Sequence, residues 1–168
     1  MKFLKDAISP NKLKKVKEIL FSYDYEDNDE EENIYCPYIH LANYEEDVEK
    51  QKDKNDIVLD CQEAFVVADY PLSGEFIFKA STRSKKGFTK KALIKEIGKI
   101  YNYIYATEND SSNVKVVPFN NRKGLLNRNA TDGDFGIWGH DLGDLDLGGI
   151  DVYLDKEGNY FLELGIDS

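Results

Sequence analysis

Leu93, Ile97, Ile100 and Ile104 recur at helical spacing, and Ile94, Tyr101 and Tyr105 widen the stripe. Thr89 stands where a helix N-cap is needed, with Phe88 and Leu93 placed as a hydrophobic staple around it. The spacing predicts an amphipathic helix over 90–107. Such a helix has one apolar face to bury, and its neighbours in sequence are β-formers. Ala64–Ala68 and Glu75–Lys79 flank the turn residues Pro71-Leu-Ser-Gly74 and read as an antiparallel hairpin. Ile150–Leu154 and Asn159–Leu164 flank Asp155-Lys-Glu-Gly158 and read as a second. Two hairpins and one long helix predict a single α+β domain over residues 1–168, an antiparallel sheet of hairpins with the helix packed on it.

The remaining segments are read from local signals. Ser9-Pro10 suits a helix start, and Leu13, Val16, Ile19 and Leu20 extend an apolar stripe from it, so an N-terminal helix is expected. Lys12, Lys14, Lys15 and Lys17 cover its outer face, and those near its start oppose the helix dipole. Asp24 to Asn33 carries seven carboxylates, and residues 22–33 are expected to be a solvated acidic loop. Tyr35 to Leu41 reads as a short strand interrupted by Pro37, and Asn43 to Asn55 as a loop or short exposed helix. Ile57–Cys61 and Val114–Pro118 read as further short strands.

The chain has a net charge of -10, distributed unevenly. Residues 1–21 carry +4, 22–63 carry -12, 64–107 carry +5 and 108–168 carry -7. This balance argues against broad nucleic-acid binding. No run approaches the ~18 apolar residues of a membrane span, and the charged N-terminus is unlike a secretory signal, so neither a membrane location nor secretion is expected. Cys36 and Cys61 make no disulfide framework and are expected as free thiols.

Three groups of residues carry candidate chemistry. Gly136 to Ile150 holds the only tryptophan, Trp138, with His140, several aspartates and five glycines. Asp132, Asp134, His140, Asp144 and Asp146 are candidate ligands for a divalent metal, because oxygen-rich sets suit hard cations. A metal-dependent, nuclease-like hydrolase would use His140, Asp141, Asp144 and Asp146. The competing reading is structural and needs no cofactor. Gly133, Gly136, Gly139 and Gly143 permit tight turns, aspartates such as Asp141 brace them, and Trp138 anchors the loop in the core. The second group, Cys36, His40, Cys61 and His140, lacks zinc-site spacing. The third, Lys79, Arg83, Lys85, Lys86, Lys90 and Lys91, surrounds Gly87 before a helix start; it reads first as a solvated basic loop, and as a binding patch it would take a phosphate or an acidic protein surface, since the P-loop order is absent.

Gly87-Phe-Thr89 with Tyr101, Ile104 and Tyr105, then Leu126-Asn-Arg128, Phe135-Gly-Ile-Trp-Gly-His-Asp-Leu-Gly-Asp-Leu145 and Ile166-Asp-Ser168, together resemble a family of small proteins. These are encoded by large double-stranded DNA viruses of the marseillevirus and mimivirus kind. The resemblance spans roughly residues 64–168, and its specific part is Gly136-Ile-Trp-Gly-His-Asp141. It implies a viral origin and a place in the virion or the host cytoplasm, and carries no mechanism. With an aromatic-rich composition and no complete catalytic motif, the expectation is a non-enzymatic virion-associated or host-interacting protein. It would act through protein–protein contacts, self-association as a dimer among them.

Overall fold

In a computed structural model the protein is described over residues 1, 3–5, 13–26, 33–124 and 127–168. Its main sheet has seven strands. β1 (Phe3–Lys5), β8 (Phe76–Ser81), β7 (Glu63–Ala68), β11 (Tyr160–Asp167), β10 (Asp146–Leu154) and β2 (Lys14–Leu20) lie side by side in that order, and β5 (Ile39–His40) pairs with the start of β10. Both expected hairpins form, as β7–β8 and β10–β11. They join through a parallel pairing of β7 with β11, in which Phe161, Leu162 and Glu163 face Phe65, Val66 and Val67. The sheet is therefore mixed, not purely antiparallel.

Helix α2 (Lys90–Ser111) covers one face of this sheet. Leu93, Ile94, Ile97, Ile100, Tyr101 and Ile104 are buried, against Ala64, Val66, Phe76, Phe78 and Leu162 of the strands. The Thr89 side chain accepts a hydrogen bond from Ala92 N at 3.1 Å, and Phe88 and Leu93 are both buried, as a stapled N-cap requires. Gly98 lies where α2 meets the short helix α1 (Tyr44–Lys50); a Cβ there would run into the Tyr44 ring. α1 is the short helix allowed for residues 43–55, but Asp47 and Val48 of it are buried.

Three expectations are corrected. Lys14–Leu20 is a strand, not part of an N-terminal helix. Its backbone is satisfied by the antiparallel ladder to β10, in which Ile19 faces Ile150. Of this strand's residues only Ile19 is buried, and lysines elsewhere along it suit an outer strand that must not recruit another. The proposed helix cap, Ser9-Pro10, lies outside the described residues. The acidic stretch is partly folded: β3 (Tyr23–Glu26) pairs with β4 (Asn33–Cys36), and only 27–32 of it fall outside the described residues. Finally, Val114–Pro118 is irregular. Val114 N donates to the Asp132 carboxylate at 2.7 Å and Val117 N to the Asn129 side chain at 2.8 Å, so side chains take the donors a ladder would use. The short pair of β6 (Ile57–Leu59) with β9 (Phe88–Thr89) completes the fold.

Candidate functional site: a pinned loop and an aromatic shelf

Glu108, in the last turn of α2, is fully buried. Its carboxylate accepts the backbone N–H groups of Phe135 at 2.8 Å, Gly133 at 2.9 Å and Gly136 at 3.0 Å. Burial pushes its pKa up, but the Thr131 hydroxyl and these three amides outweigh that, and the carboxyl is held below its ordinary value. Thr131 also contacts the buried Arg128, whose guanidinium lies 5.4 Å from the centre of the Tyr105 ring. The Thr131 hydroxyl donates to Ile137 O at 3.2 Å, and Glu108, through its three amides, and Arg128, over the Tyr105 ring, fix the 128–137 segment to the end of α2.

From this base the loop is locked residue by residue. Phe135 and Ile137 are fully buried, and Phe135 O accepts from both Ser73 N and Ser73 Oγ. Gly136, at φ 62°, has no room for a Cβ beside Ser73. Thr131 N bonds Ile137 O, Trp138 N bonds Pro71 O and Arg128 N bonds Gly139 O, each within 3.1 Å. Gly139 also has positive φ, whereas Gly133 and Gly143 do not.

Trp138 does not anchor the loop in the core, as was expected of it. It is 44% exposed, and the anchors are Phe135 and Ile137. Alternation explains the exchange: with residues 135 and 137 pointing inward, 138 is carried to the surface. The indole Nε1 donates to Leu72 O at 3.3 Å, and Tyr70 packs edge-on against the ring at 5.4 Å. His140 completes a cluster of three rings, 5.9 Å from Trp138 and 5.6 Å from Tyr70. The Ser168 hydroxyl sits 2.7 Å from the Tyr70 hydroxyl and 3.3 Å from His140 Nε2, and Tyr105 donates to His140 O at 2.9 Å. The result is a small aromatic shelf on a rigid backbone.

The candidate metal ligands are dispersed. Asp141 is held by Arg122 at 2.7 and 3.0 Å, and its backbone N–H donates to Asp144 at 2.8 Å. Asp132 is occupied by Val114 N, and Asp134 is exposed. Asp146 lies by the other histidine, 4.0 Å from His40 Nε2; burial, Asp167 and Asp47 raise its pKa against the pull of His40. His40 Nδ1 is 2.7 Å from the buried Asp47, which Lys50 also approaches at 3.1 Å. Among the described residues no group of three or more His, Cys, Asp or Glu is placed to hold a metal ion, the Cys36, His40, Cys61 and His140 set included. Both cysteines are free, and burial pushes the Cys61 thiol up, away from thiolate chemistry.

The basic group divides in two. Lys90 is buried, donating to Leu20 O and pairing with Asp53 at 2.5 Å; Lys91 pairs with Glu49, and Lys79 with Glu63 at 2.6 Å. Arg83, Lys85 and Lys86 stay exposed in the loop before β9. Half of the expected anion patch therefore serves internal ion pairs. The residues missing from the sequence reading are Glu108 and Tyr70, while Ser168 enters it only within Ile166-Asp-Ser168 and with no role. A glutamate at a helix end resembles any solvated one, and its partners lie 25 to 28 positions away.

Fold and site together define an α+β protein with a mixed sheet, one helix-covered face and a pinned surface loop. No family model, no curated protein and no solved structure matches the chain.

Proposed function

We propose that the protein is an interaction module that holds a protein partner on the Tyr70–Trp138–His140 shelf, a second copy of itself in the first instance. The observation that carries this reading is a half-exposed indole on a backbone whose every turn is pinned. A large aromatic surface presented without mobility loses little entropy on binding, and tryptophan leads the residue types that dominate interfaces. The dispersal of His140, Asp141, Asp144 and Asp146 gives the metal-dependent hydrolase no supporting observation. The viral-family resemblance supplies a setting, the virion or the host cytoplasm, and a host or virion protein as the alternative partner.

Native mass spectrometry of the untagged protein, wild type beside Trp138→Ala, tests this. A wild-type dimer that Trp138→Ala reduces to monomer, with unchanged circular dichroism, is the expected result. The same assembly state in both proteins overturns the shelf as the contact.

A further inference from the structure

The face of the sheet opposite α2 carries a trough of about 980 Å³ crossing β2, β10 and β11. Its origin lies in the strands. A bulge between Leu147 and Gly149 shifts β10 so that Gly149 pairs with Gly165. A Cβ on Gly149 would come within 2.9 Å of Ile19 O, and one on Gly165 within 3.4 Å of Gly149 O. The close approach of Ile19 O calls for glycine at 149, and Gly148, Gly149 and Gly165 line the trough together. Leu20, which is 60% exposed, and Tyr38 supply apolar contact surface beside it.

The charged lining is of one sign. Glu18, Asp146, Asp151, Glu163 and Asp167 line the trough, and among the described residues no lysine or arginine does. Lys15 pairs with Asp151 at 2.6 Å and His40 approaches Asp146; no other ion pair reaches the five among the described residues. Such a lining disfavours phosphate-bearing partners and selects cations, and the net charge of -10 steers them in from a distance. The hollow is open along its length, so a small cation would remain largely solvated there, whereas ligand pockets cover most of their occupant. An extended chain laid across three strands would fill it, with alternate basic side chains reaching the carboxylates and apolar stems lying on Leu20 and Tyr38. One end of the trough is Ser168, whose hydroxyl contacts Tyr70 and His140, so trough and shelf form one continuous surface.

We infer that this trough is the docking site for a basic, extended segment of a partner protein. The inference rests on the reading of the protein as an interaction module and adds the chemistry of what it engages. The probe is a fluorescein-labelled synthetic peptide alternating lysine and threonine, with its glutamate-for-lysine counterpart as control, followed by fluorescence anisotropy. The wild type is expected to bind the basic peptide alone, more weakly as salt rises. The double variant Glu163→Gln/Asp167→Asn, at two exposed positions, should lose tenfold or more in affinity. Leu20→Lys, also exposed, should lose binding as well, and both variants should keep the wild-type circular dichroism. Equal binding by wild type and double variant overturns the inference, as does absence of binding, or displacement of the peptide by spermine at lower concentration than by unlabelled peptide. A dimer that depends on Trp138 together with no peptide binding overturns the trough and leaves the shelf. Peptide binding that the variants abolish, with wild type and Trp138→Ala both monomeric, upholds the trough and overturns the shelf as a self-association contact.

Discussion

The two ends of α2 are held by different groups. At the first, Thr89 caps Ala92 N three residues on, and Phe88 and Leu93 close over it. At the second, Glu108 reaches across to Gly133, Phe135 and Gly136. The first end adds backbone bonds from Lys90 N to Asp56 O and from Lys91 N to Lys54 O, which tie it to the turn before β6 and to no part of the shelf. The second fixes a remote loop, and that loop carries the only tryptophan of the chain to the surface. One helix thus ends in a hydroxyl cap where it is scaffold and in a buried carboxylate where it supports the site.

Substitutions at the two ends sharpen this contrast. Glu108→Ala leaves the buried Phe135 amide and the half-buried Gly133 and Gly136 amides without an acceptor; at ~1–3 kcal/mol for each unsatisfied group it should cost about 3 kcal/mol. Urea unfolding measures it, and a loss below 1 kcal/mol would remove Glu108 from its role. Gly136→Ala follows. A positive φ costs a residue with a side chain roughly 1–2 kcal/mol, and its Cβ must also displace Ser73. Thr89→Ala should cost about 1 kcal/mol, the ordinary worth of a cap. Trp138→Ala should cost less than the cap in stability while abolishing association, because its ring is half in solvent. If Trp138→Ala unfolds the protein as readily as Glu108→Ala, the division between support and contact surface fails.

The pH dependence separates the two ends as well. The Glu108 pKa is lower in the folded protein than in the unfolded chain. Its contribution to stability is therefore complete above the unfolded value near ~4.3 and is lost as pH falls through the folded value. Below about pH 4.5 the wild type should lose stability faster than Glu108→Gln, whereas Thr89→Ala should follow the wild-type slope. Parallel slopes for wild type and Glu108→Gln would contradict the assignment.

The division between local and distant contacts decides what could be read in advance. α2 and both hairpins are legible because their periodicities and turns are local, and Thr89 announces its helix. β2 was not. Leu13, Val16, Ile19 and Leu20 fit a helical stripe, and only the ladder to β10, more than 120 positions away, makes the segment a strand. Nor does any local signal announce that β7 and β11, nearly as distant, pair in parallel. Within the site, Gly136 and Gly139 were foreseen as turn-formers and have the positive φ that implies. Trp138 was sent to the wrong side, since two other apolar residues, Phe135 and Ile137, competed for the interior and filled it. The aspartates of 132–146 look like a ligand set only while their partners are unknown; Val114, Arg122 and His40 take three of them in three directions.

Because Trp138 is the only tryptophan, its fluorescence reports on the shelf alone. Emission and iodide quenching should be followed while the protein concentration is raised from nanomolar to tens of micromolar. The account predicts a shift to shorter wavelength and a fall in quenching as partner copies cover the indole. An emission maximum and a quenching constant that stay the same across that range would contradict the claim that the protein associates through this shelf.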